Sequence, residues 1–181
     1  KTNSKNTVML IYNPKLSVSP VTTHVPFKNI NKNLTKKKII NNVIKIKDFY
    51  KHNLKKKPSF AVLCLNPHCE NSKGISEEKK IIIPAIKYLK KNKINVYGPY
   101  PSDTFFLEKN IKKFDVVIGM YHDQVLTPIK TLYKFDAINI TLGLPFIRIS
   151  PDHGPNSKMV GKNKSDPRSL FASINFLNKI S

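Results

Sequence analysis

Short apolar runs alternate along this chain with longer lysine-rich stretches whose aliphatic side chains recur every three or four positions. The first rhythm is that of buried strands, the second that of helices with one face turned inward. Residues 8–12 and 18–23 read as strands separated by an Asn13-Pro14 turn. Thr35 is a side-chain cap for a helix reaching about His52, with Ile39, Ile40, Val43, Ile44 and Ile46 as its apolar stripe and Pro58 marking its end. The apolar run 59–65 has the character of a strand covered on both faces. Ser76, Glu77 and Glu78 predict a helix start with acids in the first turn, where the dipole favours them, and Pro84 predicts a kink.

Further strands are expected at 94–97, 114–120 and 137–141, with a short helix over 102–110 and another after His122 that is broken or bent at Pro128. Leu142-Gly143-Leu144-Pro145 turns the chain into a strand at 146–149. Ser165, Asp166 and Pro167 open a last helix, 168–179, with Leu170, Phe171, Ile174 and Leu177 expected on its inner face. Alternating strands and helices predict an α/β layer fold with a largely parallel sheet. The sequence has no internal repeat and no linker-like stretch, so residues 1–181 are expected to form one unit.

The formal net charge is +21, which ordinarily raises nucleic acid or anionic membrane as a partner. Only Arg148 and Arg168 are arginines among the 32 basic residues, however, and phosphate and base readout favours arginine's fork. The lysines read as a solvated surface, and no nucleic-acid motif is present. Arg148 becomes conspicuous for the same reason. No run of about eighteen apolar residues appears, and residues 1–5 lack a signal peptide's apolar stretch, so a cytoplasmic protein is expected. The absence of an initiator Met points to a fragment. Cys64 and Cys69 fit reduced thiols better than a bridge or a zinc motif, because they lack paired C-x2-C spacing.

Three of the five histidines stand where a predicted strand runs into a turn: Thr22-Thr23-His24-Val25-Pro26, Leu65-Asn66-Pro67-His68 and Met120-Tyr121-His122-Asp123-Gln124. Open α/β sheets collect ligands at the carboxyl ends of their strands, and imidazole is the commonest protein ligand for divalent metals. Three imidazoles leave coordination positions open, which is a catalytic pattern rather than a structural one. Asp123 and Gln124 are candidates to orient the imidazole or the substrate, and Lys130 follows His122 by about two helical turns. His52 fits an ordinary helix end. Gly143 and Gly154 could allow close backbone approach, but the sequence contains no G-x-G-x-x-G and no P-loop.

The segments GMYHDQVLTPIK (119–130), INITLGLPFIR (138–148) and SPDHG (150–154) together resemble the 4-hydroxythreonine-4-phosphate dehydrogenase family of vitamin B6 biosynthesis, as do the motifs around His24 and His68 and GPYPSDT (98–104). The resemblance covers nearly the whole chain in order. It implies an isocitrate/isopropylmalate dehydrogenase-like fold, a homodimer with active sites at the subunit interface, a divalent metal (Zn, Mg or Co), and NAD or NADP. It further implies His24, His68 and His122 as metal ligands, Lys130, Asn139 and Arg148 as substrate-binding residues, and His153 and Gly154 as the start of the dinucleotide-binding loop.

The implied reaction oxidises the secondary alcohol of 4-phosphooxy-L-threonine by hydride transfer, giving a β-keto acid that decarboxylates to 3-amino-2-oxopropyl phosphate. Family chains carry an additional N-terminal half with a Gly-His-Thr motif that has no counterpart here. The chain is therefore expected to be the C-terminal, metal- and cofactor-binding portion. Alternatives within the resemblance are a 4-phospho-threonate/erythronate dehydrogenase and an inactive truncated member. Cys69 to Gly74 and Pro155 depart from the family's usual glycine-rich stretch and threonine.

Overall fold

The computed structural model describes residues 2, 4, 6–69, 76–134, 136–152 and 157–180. Its strands are β1 (Val8–Tyr12), β2 (Ser17–Thr22), β3 (Phe60–Leu63), β4 (Val96–Tyr100), β5 (Val116–Tyr121), β6 (Ile138–Leu142) and β7 (Arg148–Pro151). The helices are α1 (Ile30–Asn33), α2 (Lys36–Asn53), α3 (Ile83–Lys91), α4 (Ser102–Phe105), α5 (Glu108–Ile111), α6 (His122–Tyr133) and α7 (Arg168–Ile180). The strands form one sheet in the order β4-β3-β5-β2-β1-β6-β7. Pairs β4–β3, β3–β5 and β5–β2 are parallel, whereas β1 runs against both β2 and β6, and β7 against β6. Five strands consequently point the same way, and the expected α/β fold with a largely parallel sheet is what forms.

Alternation along each strand splits the core between two faces. Leu10, Phe60, Val62, Ile118 and Ile140 pack under α2, α3 and α7, and Ile11, Val18, Ala61, Leu63 and Val117 pack under α4, α5 and α6. Helix α2 starts where Thr35 accepts a hydrogen bond from the Lys38 amide at 3.2 Å, and it buries Ile39, Val43 and Ile46 completely. Among the described residues no helix is long and apolar enough to cross a membrane.

Several boundaries differ from expectation. The third strand ends at Leu63 because the next residues leave the ladder, and the single helix expected over 102–110 is two short ones. Helix α6 runs unbroken through Pro128. Pro84 sits at the start of α3, preceded by a π-helical turn, Glu78–Ile82, instead of kinking a continuous helix.

The larger correction concerns α7, whose Leu170, Phe171, Ile174 and Leu177 face solvent, with Phe171 59% exposed. Ser169, Ser173 and Phe176 are the buried side chains. Ser169 Oγ donates to the Ala137 carbonyl at 2.6 Å and accepts from the Asp152 amide at 2.8 Å, so one small hydroxyl closes the backbone groups beside β6 and β7. Phe176 packs on Tyr12, their ring centres 4.7 Å apart.

Candidate functional site

The parallel register sets Thr22 opposite Tyr121, which brings the exits of β2 and β5 together. Thr22 Oγ1 donates to the Met120 carbonyl at 2.7 Å and pins the two ends. The ring centres of His24 and His122 are then 5.5 Å apart. Two imidazoles bound tetrahedrally to one ion, each with its nitrogen about 2.0–2.1 Å from the metal, would have centres about 5.2 Å apart. This pair fits a shared cation. His122 Nδ1 lies 2.8 Å from Asp123 Oδ1; a carboxylate only accepts, so Nδ1 carries the proton, and in the neutral imidazole Nε2 then holds the lone pair.

His68 leaves β3 by a different route. It holds a left-handed backbone, φ 57°, as does His24 at φ 49°, a region that non-glycine residues enter at a cost and that histidine tolerates better than most. The imidazole is exposed, with Nδ1 3.7 Å from Asp103 Oδ2, and it shares a cavity of about 280 Å³ with Asn66, Ser102, Tyr121 and Gln124. The three histidines therefore occupy one edge of the sheet as a pair plus a third. Among the described residues no group of three histidine, cysteine or acidic side chains is close enough to hold an ion within one chain.

Sequence reasoning left three residues of this edge without their present roles. Gln124, 8% exposed, accepts from the Met120 amide at 2.6 Å and donates to the Cys64 carbonyl and Ser102 Oγ, each at 2.7 Å, joining the ends of β5 and β3 to the start of α4. Asp103 stands beside His68; its signal was a strand-end motif, GPYPSDT, of the same kind as the histidine motifs. Glu78, read as a helix-start acid, is turned inward and 1% exposed. Burial works to raise its carboxyl, but hydrogen bonds from Asn66 and Leu65 outweigh it and hold the pKa below the ordinary carboxylate value. Both cysteines are free thiols, and burial followed by contact with Cys64 pushes the Cys69 thiol up, favouring its neutral form.

The substrate candidates lie on α6 and on the β6–β7 ribbon. Pairing of Asn139 with Ser150 and of Thr141 with Arg148 sets these four on one face of the β6–β7 ribbon. Arg148 is exposed and donates to Thr141 Oγ1 at 2.9 Å. Asn139 Oδ1 is buried with no hydrogen-bond partner among the described residues. Lys130 Nζ donates to the Asp152 carbonyl at 2.9 Å, just past β7. Among the described residues no hydrogen bond or ion pair joins Lys130, Asn139 and Arg148 to one another. His153 and Gly154 lie outside the described residues. A larger cleft of about 380 Å³, between α2 and the Leu142–Ile147 turn, contains none of the three candidate histidines.

The family model described as pyridoxal phosphate biosynthetic protein PdxA matches residues 1–177. A 4-hydroxythreonine-4-phosphate dehydrogenase from Sulfurihydrogenibium sp. (strain YO3AOP1) is 43% identical over 173 residues, covering 94% of this chain and 53% of that protein. A D-threonate 4-phosphate dehydrogenase from Pectobacterium atrosepticum is 39% identical over 175 residues, covering 96% and 53%. The crystal structure of a 4-hydroxythreonine-4-phosphate dehydrogenase from Klebsiella pneumoniae superposes with a TM-score of 0.83 at 32% identity, covering 99% of this chain and 56% of that one. The chain thus spans about half the length of the curated relatives it matches.

Proposed function

The chain belongs to the pyridoxal phosphate biosynthetic protein PdxA family, and on that footing we propose that it is the metal- and cofactor-binding portion of a cytoplasmic NAD- or NADP-linked dehydrogenase. Its substrate is 4-phosphooxy-L-threonine, oxidised at the secondary alcohol. The observation behind this reading is the His24–His122 pair with His68 on the same sheet edge, backed by Asp123 and Asp103.

His24, His68 and His122 would hold one divalent cation, which when bound supplies Lewis-acid polarisation of the alcohol oxygen. Asp123 keeps His122 in the ligating tautomer. A pair of imidazoles with a detached third suits a site completed by a second copy of the chain, and hence a homodimer. Arg148 offers a planar fork to phosphate or carboxylate, and Lys130 reaches from α6 to the end of β7, where its ammonium, paired with Asp152, would add a point charge. Asn139 Oδ1, without a partner among the described residues, is a buried acceptor that a substrate hydroxyl or ammonium would satisfy. His153 and Gly154 remain the candidates for dinucleotide contact.

A second reading, D-threonate 4-phosphate as substrate, rests on the relative of that name at 39% identity. The two substrates differ at C2, amino against hydroxyl. Initial rates of NADH and NADPH formation with each substrate, metal added, separate the readings. Turnover of the amino acid substrate abolished by chelator supports the first, preference for the hydroxy acid supports the second, and metal-independent turnover of either sinks the metal role.

A further inference from the structure

Where β3 ends, the ladder gives out but the loop carrying His68 does not go slack. Cys64 N still reaches the Tyr100 carbonyl at 2.9 Å, and the next two amides, Leu65 and Asn66, both donate to Glu78 Oε1 at 2.9 Å. The Asn66 side-chain amide donates to Glu78 Oε2 at 2.8 Å and to Glu77 Oε2 at 3.0 Å. The Asn66 carbonyl in turn receives the Cys69 amide at 3.2 Å and the Cys64 thiol at 3.0 Å. One carboxylate therefore substitutes for the missing strand partner at the point from which His68 is presented.

The arrangement is costly unless it holds something. Glu78 is 1% exposed, and among the described residues no cation pairs with it, so its charge is met by N–H donors alone. It lies on a π-helical turn, a rare geometry that recurs at functional sites. The loop it restrains contains two successive left-handed residues, His68 (φ 57°) and Cys69 (φ 54°), a path the chain does not keep without outside restraint. Three donors face the two carboxylate oxygens. A glutamine would turn its own NH2 toward the Asn66 donor.

We propose that Glu78 is a positioning residue for His68: it fixes the 65–69 loop so that the imidazole is held at the metal edge. This rests on the reading of His68 as a metal ligand. Loss of an outer restraint of this kind ordinarily weakens metal affinity by about 10–100-fold without removing a ligand.

Cobalt(II) titration of the whole protein, read by its visible absorption, tests this with Glu78→Gln, His68→Ala and the double variant. Glu78→Gln should weaken Co2+ binding about 10–100-fold and shift the band, while far-ultraviolet circular dichroism of the metal-free protein stays that of the wild type. In the His68→Ala background the same substitution should change nothing further. An equal fold loss in both backgrounds, or affinity within about threefold of wild type in the single variant, overturns the positioning role. Wild-type affinity in His68→Ala would overturn the ligand reading, and the positioning role with it. Hydrogen exchange on the unmodified protein is independent of any variant's folding: the Leu65 and Asn66 amides should exchange slowly, and fast exchange contradicts the clamp.

Discussion

Replacing Gln124 by Met keeps the length and most of the volume of the side chain while deleting both polar ends. Two buried backbone groups lose their partner, the Met120 amide and the Cys64 carbonyl, whereas Ser102 Oγ is near enough to solvent to find water. A buried group left unsatisfied costs about 1–3 kcal/mol, so the pair should cost ~3 kcal/mol or somewhat more. For a chain of this size that corresponds to a fall in Tm of about 6–12 °C. Urea denaturation of Gln124→Met against wild type should give a lower midpoint at unchanged slope. Ser102→Ala, which leaves Gln124 Nε2 its bond to Cys64, should cost about 1 kcal/mol or less. A loss below about 1 kcal/mol for Gln124→Met would mean that the ends of β3 and β5 are held by something other than this side chain.

Arg148→Lys keeps the charge but loses the fork, so the phosphorylated substrate should bind about tenfold more weakly in the whole enzyme, by calorimetric titration; unchanged affinity removes Arg148 from the site. Burial works to raise the carboxyls of Glu78 and Asp115, but their hydrogen bonds, with Lys56 helping at Asp115, hold both below the ordinary value. Their stabilisation is full above the unfolded carboxylate range near about 4 and is lost as pH falls through the lowered folded values. Urea midpoints should drop on acidification, less steeply in Asp115→Asn, and an identical pH slope in that variant would refute the assignment. The exposed face of α7 predicts that the 1–181 polypeptide self-associates, and Phe171→Ser with Ile174→Ser should shift its sedimentation toward monomer; an unchanged profile would locate the associating surface elsewhere.

How far the sequence could be read follows from which signals are local. The strand-end histidines were legible because a strand's exit and a histidine one to five residues on are both sequence properties, and parallel pairing then lines up the exits of β2 and β5. Periodicity on α7 showed which residues share a stripe but not which way it turns. Ser169 wins the inner face because backbone groups beside β6 and β7 need a hydroxyl there, and that demand arises only once the strands are in place; Ser173 turns its hydroxyl back to the Ser169 carbonyl. Glu78 was hidden for a similar reason. An acid near a helix start has a sufficient local explanation, and only its bonds from the amides of Leu65 and Asn66, thirteen and twelve residues away, reveal its other one. Lys130 illustrates the limit from the opposite side: helical spacing returned it to the face of His122, but its ammonium goes to Asp152, on a strand end that spacing alone could not locate.

Equilibrium dialysis with a divalent cation at neutral pH, comparing wild type with the His24→Ala, His68→Ala, His122→Ala triple variant, bears on the whole reading at once. Wild type should bind about one ion per site and release it on acidification as the imidazoles take up protons, and the triple variant should bind none. Equal stoichiometry and affinity in the two proteins would remove the metal from these histidines and leave the strand-end edge without its proposed chemistry.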